Sequence, residues 1–153
     1  MKVASMFCGA GGLCYGFHKS EHFDVVYAND FDKDSCFTYE KNFNLKPELA
    51  DIKLIKNIPN IDILLGGFPC QGFSIANSKR TENDSRNQLY IELVRLLKLK
   101  KPKFFIFENV KGILSIGGYD SKEDKKQKKG RVFKMILKDF QESGYEVQFR
   151  KFF

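Results

Sequence analysis

The amino-acid sequence predicts an α/β fold built on a parallel sheet. Short apolar runs of strand length alternate with stretches of helical periodicity, and several of the runs end in glycine-rich or polar turns. This alternation favours an open sheet with helices between its strands and with ligands bound beyond the carboxyl ends of the strands. The length of 153 residues, 42% of them hydrophobic, fits one domain over residues 1–153.

The first predicted strand, residues 3–7, leads into a turn that contains Gly9, Gly11 and Gly12, and a helix follows over residues 13–19. Glycines in such a turn let the backbone pass close to a ligand and leave helix N–H groups directed at it. The pattern alone fits either a nucleotide site or a plain tight turn.

The second predicted strand, residues 23–29, delivers Asp30 at its end. An acidic residue at this position holds ribose hydroxyls in many α/β cofactor sites, although Asp30 could also cap a helix predicted over residues 33–42. A brief third strand over residues 49–52 contains Asp51, which could equally be a solvated loop carboxylate.

The fourth predicted strand, residues 61–65, runs into Gly66-Gly67-Phe68-Pro69-Cys70-Gln71. A sharp turn at the end of a strand would display the Cys70 thiol in a polar setting beside a helix start, where a thiol pKa can fall. Cys70 is therefore a candidate nucleophile, and the alternative is a small hydrophobic residue at a strand end.

The second half of the chain predicts two helices, two strands and two polar segments. Residues 72–86 are too polar to bury themselves and form either a lid or a surface loop. Glu108 follows an apolar fifth strand, where a carboxylate needs a partner or a task. The remaining predictions are helices over residues 89–99 and 132–140, strands over 104–107 and 145–153, and a flexible, solvated insertion over 121–131, preferred to a DNA clamp.

The charge is unevenly distributed along the chain. Residues 1–75 carry 7 Lys and Arg against 9 Asp and Glu, whereas residues 76–153 carry 19 against 10. The basic half is the better candidate for a nucleic-acid surface, and the alternative is an ordinary lysine-rich surface. We expect a cytoplasmic protein, because no membrane span or signal peptide is recognisable.

The cysteine and histidine pattern predicts neither a zinc site nor a disulfide framework. The four cysteines form no Cys-x-x-Cys pair, and His18 and His22 lack a third ligand. We interpret both histidines as a solvated helix end.

Three motifs together resemble the cytosine-C5 DNA methyltransferase family over nearly the whole chain. They are Phe7-Cys8-Gly9-Ala10-Gly11-Gly12, Phe68-Pro69-Cys70-Gln71 and Glu108-Asn109-Val110, in the order that the family has them. The resemblance implies a Rossmann-like, three-layer α/β/α sheet for binding S-adenosylmethionine. It also implies that this chain contains strands one to six and lacks the seventh strand, the Gln-x-Arg-x-Arg motif, the target-recognition domain and the closing segment.

The resemblance also implies roles for individual residues. Cys70 would attack the target cytosine and Glu108 would assist at N3. Asp30 would bind the ribose of the cofactor and Phe31 would pack on its adenine. The full set of implied cofactor residues is Phe7, Gly9, Gly11, Gly12, Asp30, Phe31, Asp51, Ile52 and Phe68. The implied DNA contacts are Gln71, Ser74, Lys79, Arg80 and Arg86, in a loop that closes over the flipped base.

We therefore expect the catalytic half of a DNA (cytosine-5-)-methyltransferase, of a bacterial restriction-modification system, acting on double-stranded DNA without a metal ion. We expect this chain to be inactive without a second polypeptide that carries the missing parts. Two alternatives stay open, a catalytically silent nucleic-acid-binding remnant or subunit and a tRNA cytosine-C5 methyltransferase.

Overall fold

Five parallel strands form one sheet in the order β3-β2-β1-β4-β5. The structure is a computed structural model that describes residues 1–69 and 89–152. The strands are β1 Lys2–Met6, β2 Asp24–Asp30, β3 Glu48–Leu49, β4 Ile63–Gly66 and β5 Phe104–Phe107. This architecture confirms the α/β fold, and the first five predicted strands lie within a few residues of their observed positions.

Strand β1 is the centre of the sheet. Ala4 pairs with Leu64 on one side and with Tyr27 on the other, and the register with β2 shifts between Val3 and Ala4. Because all the pairs are parallel, the five strands end at the same edge of the sheet. The turns that follow the strands therefore meet there, as expected of a ligand-binding edge.

The described residues contain five α-helices. They are α1 Tyr15–Lys19, α2 Lys33–Phe43, α3 Leu89–Lys100, α4 Lys122–Gln127 and α5 Arg131–Gln141. Short 3₁₀ helices span Ile52–Leu54 and Lys111–Ser115. Among residues 1–69 and 89–152, no helix is long and apolar enough to cross a membrane.

The described chain divides into two compact units. The first contains residues 1–68 and 95–108, and thus the whole sheet; the second contains Pro69, residues 89–94 and residues 109–152. In the first unit, side chains of β1, β2 and β4 pack with residues of α2 and of the turn before α1 into a core that includes Val3, Cys14, Tyr39 and Leu65. Each large side chain buried in this way stabilises the fold by roughly 1.5–3 kcal/mol.

The predicted sixth strand is absent from the described structure. Residues 145–152 adopt no strand, although Tyr, Val and Phe alternate there with polar residues. Alternation supplies one apolar face, but a strand also needs a neighbour for its backbone hydrogen bonds. No described strand pairs with this segment, and Phe149 instead packs edge-on against Phe133 of α5, with ring centroids 4.9 Å apart.

The predicted flexible insertion contains a helix. Helix α4 begins after Ser121, whose hydroxyl accepts a 3.0 Å hydrogen bond from the Asp124 N–H. Acidic residues in its first turn and lysines in its last turn suit the helix dipole. The prediction of a flexible segment was wrong because it relied on the lysine-rich composition and overlooked Ser121 as a helix cap.

The fifth strand lies where predicted but is not buried. In the described sheet β5 pairs only with β4, and Phe104 and Ile106 remain 59% and 46% exposed. The apolar run therefore forms a strand, as predicted, but the expectation that this strand is buried was wrong. Glu108 follows it as an exposed residue.

Candidate active site at the carboxyl edge of the sheet

The turn after β1 has a backbone that few residues adopt. Phe7, Gly9 and Gly11 have φ angles of 53°, 51° and 100°, in the left-handed region that favours glycine. The Cys8 N–H donates to the Asn29 carbonyl at 3.0 Å, which ties the turn to β2. A phenylalanine held at positive φ is strained and often marks a functional turn.

Asp30 connects the glycine turn to the end of β2. Its Oδ2 accepts a 2.8 Å hydrogen bond from the Gly9 N–H, and its Oδ1 accepts a 3.0 Å bond from the Asp32 N–H. The carboxylate is 8% exposed, and each oxygen keeps lone pairs for a further donor. Asp32, rather than Asp30, caps α2, because its side chain accepts from the Ser35 N–H at 2.7 Å. The helix-cap interpretation of Asp30 was therefore wrong.

Open space adjoins this carboxylate. A Cβ atom added to Gly9 or Gly12 would meet nothing within 4 Å, and the neighbouring Phe31 ring is 73% exposed. An acceptor carboxylate, an exposed aromatic ring and a bare glycine backbone suit a ligand with hydroxyl groups and a planar ring. The structure thus brings together Phe7, Gly9, Gly12, Asp30 and Phe31.

Gly11 has a different role from the other two glycines. A Cβ atom there would lie 2.0 Å from Cε2 of Phe43, so Gly11 is needed for packing. Phe43 stacks on the His18 imidazole, with centroids 4.1 Å apart. The His18 Nε2 lies 2.8 Å from the Tyr39 hydroxyl, which also accepts from the Cys14 thiol at 3.2 Å. The side chains of Cys14, His18, Tyr39 and Phe43 thus pack together beside the glycine turn.

His18 is therefore not part of a solvated helix end, as the sequence led us to expect. Burial lowers the pKa of its imidazole below the ordinary value of 6.5. The neutral ring can accept a hydrogen bond at Nε2, and we assign the Tyr39 hydroxyl as its donor. His22 is exposed, as predicted. The spacing of His18 and His22 in the sequence gives no indication that His18 stacks on Phe43.

The three cysteines among residues 1–69 and 89–152 are buried and form no disulfide. These are Cys8, Cys14 and Cys36. Burial, followed by the charge of Asp30, raises the pKa of the Cys8 and Cys36 thiols. Because the thiolate is the nucleophile, Cys8 and Cys36 are poorly suited to attack a substrate at neutral pH.

The segment after β3 is held by a residue that the sequence analysis missed. Asp51 caps the 3₁₀ helix through a 2.9 Å hydrogen bond from the Lys53 N–H, and Ile52 is buried. Arg95 of α3 donates to the carbonyls of Ile52 and Ile55, at 3.3 and 2.8 Å. Arg95 lies between Glu92 and Lys98 at helical spacings of three, so no signal in the sequence distinguished it from an ordinary exposed charge.

Glu108 lies beside the turn after β4. A Cβ atom placed on Gly67 would be 3.6 Å from Oε2 of Glu108 and 4.0 Å from the Phe7 carbonyl oxygen. The Glu108 N–H donates to the Gly66 carbonyl at 2.9 Å, which continues the pairing of β5 with β4. The ends of β1, β4 and β5 therefore converge on one point. Phe68 is buried beside it.

The predicted nucleophile and DNA contacts lie outside the described residues. These are Cys70, Gln71, Ser74, Lys79, Arg80 and Arg86. Among residues 1–69 and 89–152, no group of three His, Cys, Asp or Glu side chains could hold a metal ion.

A groove of about 800 Å³ lies on the α1 and α2 side of the glycine turn, lined by residues 10–12, 15, 18–19 and 41–44. It shares the glycine turn with the candidate site but includes neither Asp30 nor Glu108. The carboxylates at the strand ends, rather than this groove, define the candidate site.

A parallel sheet with a glycine turn after β1 and carboxylates at the ends of β2 and β5 defines an α/β methyltransferase fold. The family model of C-5 cytosine-specific DNA methylases matches residues 1–151, and the chain belongs to that family. A similar solved structure is a prophage-encoded DNA modification methyltransferase of E. coli, with a TM-score of 0.65 and 30% identity over 93% of this chain and 38% of the other.

Curated relatives include bacterial Type II methyltransferases. M.FnuDI of Fusobacterium nucleatum is 42% identical over 96% of this chain and 40% of its own length. M.Bsp6I of Bacillus sp. (strain RFL6) is 35% identical over 98% of this chain and 45% of its own length. The chain thus spans less than half the length of these relatives. At 18% identity and a TM-score of 0.59, the S. pombe Dnmt2 methyltransferase shares the fold.

Proposed function

We propose that this chain supplies the cofactor-binding and catalytic residues of a DNA (cytosine-5-)-methyltransferase of a bacterial restriction-modification system. One observation carries the proposal beyond family membership. The Glu108 carboxylate lies 3.6 Å from the Cβ position of Gly67, three residues before Cys70. A thiol and a carboxylate from neighbouring strand ends are the pair that addition to a cytosine ring requires.

In this proposal Cys70 bonds to C6 of the cytosine as a thiolate. Glu108 holds a proton at N3, which relieves the negative charge that the addition places on the ring. Electron density then gathers at C5. After methylation, loss of the C5 proton and departure of the Cys70 thiolate restore the aromatic ring. The base must leave the duplex to reach these residues, since C6 is inaccessible within the stack.

S-adenosylmethionine would supply the methyl group as an electrophile on sulfur. The described residues fit it: Asp30 would accept from the ribose hydroxyls, Phe31 would cover the adenine, and the open backbone at Gly9 and Gly12 leaves room for the chain between them. Asp51 is exposed and would contact the edge of the adenine. Buried Ile52 would contribute through its backbone.

We further propose that methyl transfer needs a target-recognition domain in addition to residues 1–153. The chain spans 40–45% of the length of two relatives, and in the described sheet the outer edge of β5 has no neighbouring strand. Such an edge invites a strand from elsewhere. Burial of the exposed Phe104 and Ile106 side chains beside this edge would stabilise such a contact.

The test measures tritiated methyl transfer to mixed-sequence DNA and to tRNA, by this chain alone and with the remaining part of a Type II relative. We expect transfer to DNA only in the mixture, and loss of transfer in Glu108→Gln. Transfer to tRNA alone would replace the proposal with an RNA methyltransferase. No transfer in any mixture, together with no trapping on 5-fluorocytosine DNA, would indicate a silent nucleic-acid-binding subunit.

A further inference from the structure

The sheet holds the segment that follows β3, residues 50–55, over a very short length. Strand β3 spans Glu48–Leu49, and it pairs with β2 through these two residues. Most strands in globular proteins are longer, so their ladders fix the direction of the chain that leaves them. After a ladder this short, the direction of residues 50–55 depends on contacts that side chains make.

Buried Asn29 of β2 holds the beginning of this segment. Its Nδ2 donates to the carbonyls of Glu48 and Ala50, at 2.9 Å each. The Ala50 N–H in turn donates to the Asp30 carbonyl at 3.1 Å. These bonds hold the chain as far as Ala50 and leave the 3₁₀ turn beyond it to other contacts.

Arg95 of α3 holds the other end of the segment. Its Nη2 donates to the carbonyls of Ile52 and Ile55, at 3.3 and 2.8 Å. The Ile52 carbonyl also accepts from the Ile55 N–H at 3.2 Å, so the guanidinium closes the end of the 3₁₀ helix. The two isoleucines are buried and Arg95 is partly buried. A charged donor in such surroundings makes stronger hydrogen bonds than a neutral donor in water.

The turn that Arg95 closes carries Asp51 at its start. Oδ1 of Asp51 accepts from the Lys53 N–H, and the Asp51 carbonyl accepts from the Leu54 N–H, at 2.9 Å each. The orientation of Asp51 is therefore coupled to that of the whole turn. The Asp51 side chain is exposed, and a carboxylate accepts several hydrogen bonds, so it has capacity for a donor on a ligand.

We propose that Arg95 is a positioning residue that makes the cofactor site selective for adenine. It would act through the turn from which Asp51 and Ile52 reach the edge of the ring. The exocyclic amine of adenine donates hydrogen bonds and suits a carboxylate, whereas hypoxanthine has a carbonyl oxygen at the same position, which a carboxylate repels. The inference rests on the proposed function for the identity of the cofactor.

The test is calorimetric titration of the full chain with S-adenosylhomocysteine and with the analogue in which hypoxanthine replaces adenine. Arg95→Met keeps an apolar stem without donors, and Arg95→Lys keeps the charge. Lys98→Met is the matched control, because Lys98 is an exposed residue of the same helix and its loss changes the net charge equally. Urea unfolding measures the stability of each variant.

We expect the parent chain to prefer adenine. Arg95→Met should bind S-adenosylhomocysteine about tenfold more weakly, while its affinity for the hypoxanthine analogue changes by less than about threefold. Arg95→Lys should keep part of the preference, and Lys98→Met should keep all of it. A role in stability alone would weaken both ligands equally, because an unfolded molecule binds neither of them.

A ratio of the two affinities that stays at the parent value in both Arg95 variants would overturn the inference and leave the proposed function intact. If Arg95→Met does not fold, the ratio in Arg95→Lys decides the question in the same way. A parent chain that binds the two ligands equally, or binds neither, would reject the proposed adenine contact of Asp51 and this inference with it.

Discussion

The Gly9 N–H and the Asp30 carboxylate form a 2.8 Å hydrogen bond that ties the turn after β1 to the end of β2. Asp30 therefore has a structural task in addition to the proposed cofactor contact. The two tasks are compatible because each carboxylate oxygen accepts more than one hydrogen bond. Cofactor affinity and stability must therefore be measured separately for any variant at this position.

For Asp30→Ala we expect a decrease in both cofactor affinity and stability. Removing a charge-assisted hydrogen bond to the ribose should weaken S-adenosylmethionine binding by about ten- to a hundredfold, or roughly 1.5–3 kcal/mol. The orphaned Gly9 N–H should also lower the free energy of unfolding by about 1–3 kcal/mol. Calorimetry and urea unfolding measure the two effects. Asp34→Ala, which removes an exposed carboxylate of α2, is the control, and unchanged cofactor affinity in Asp30→Ala would reject the ribose assignment.

Two glycines of the turn should separate packing from ligand binding. Gly11→Ala places a Cβ atom 2.0 Å from the Phe43 ring and at a φ of 100°, so we expect destabilisation by roughly 1–3 kcal/mol from overpacking alone. In Gly12→Ala the added Cβ atom meets nothing within 4 Å, so the free energy of unfolding should stay within about 0.5 kcal/mol of the parent value. If the cofactor lies against this backbone, Gly12→Ala should nevertheless bind it less tightly. Equal stability of the two variants would contradict the contact with Phe43.

The half-buried His18 should make stability depend on pH. Its pKa is lowered in the folded state, so the unfolded state binds the proton more readily. The free energy of unfolding should therefore decrease as pH falls through about 6.5 and level off below the folded-state pKa. Urea unfolding at about pH 7.5 and about pH 5, on either side of the ordinary histidine pKa, measures the difference. His18→Gln should reduce this difference and the exposed His22→Gln should not; the reverse result would assign the effect to His22.

Cys70 should be the residue that bonds to the base. With a complementing polypeptide, Cys70→Ala should abolish covalent trapping on duplex DNA that contains 5-fluorocytosine, while leaving cofactor binding near the parent value. Cys8→Ala and Cys14→Ala change buried thiols and should still trap. Denaturing gel electrophoresis detects the adduct. If Cys70→Ala still formed the adduct and Cys8→Ala did not, the nucleophile would be Cys8, in the turn after β1.

The sequence predicted the fold well where a local pattern was sufficient. Strand β5 was predicted with its observed bounds, and α2 was predicted to within one residue, although Asp32 rather than Asp30 caps it. The prediction of a strand over residues 145–153 was wrong because a local pattern was not sufficient there. Its alternation is a property of the segment, whereas strand formation depends on a partner.

The candidate site was predictable in its location and less so in its supports. Motifs at strand ends indicated Asp30 and Glu108, and the structure places both at the carboxyl edge of the sheet. The roles of the site residues stay predictions. Arg95 and the contact of His18 with Phe43 depend on segments that meet only after folding, so no local pattern announced them.

The exposed ring of Phe31 offers an optical handle on the proposed cofactor site. The chain contains no tryptophan, so a single Phe31→Trp substitution would provide an emission signal free of any other indole. Because the side chain already projects into solvent, the larger indole needs no new cavity. Stacking of an adenine on that indole would quench or shift its fluorescence, and the exchange of nucleosides at this sheet edge could then be followed in real time.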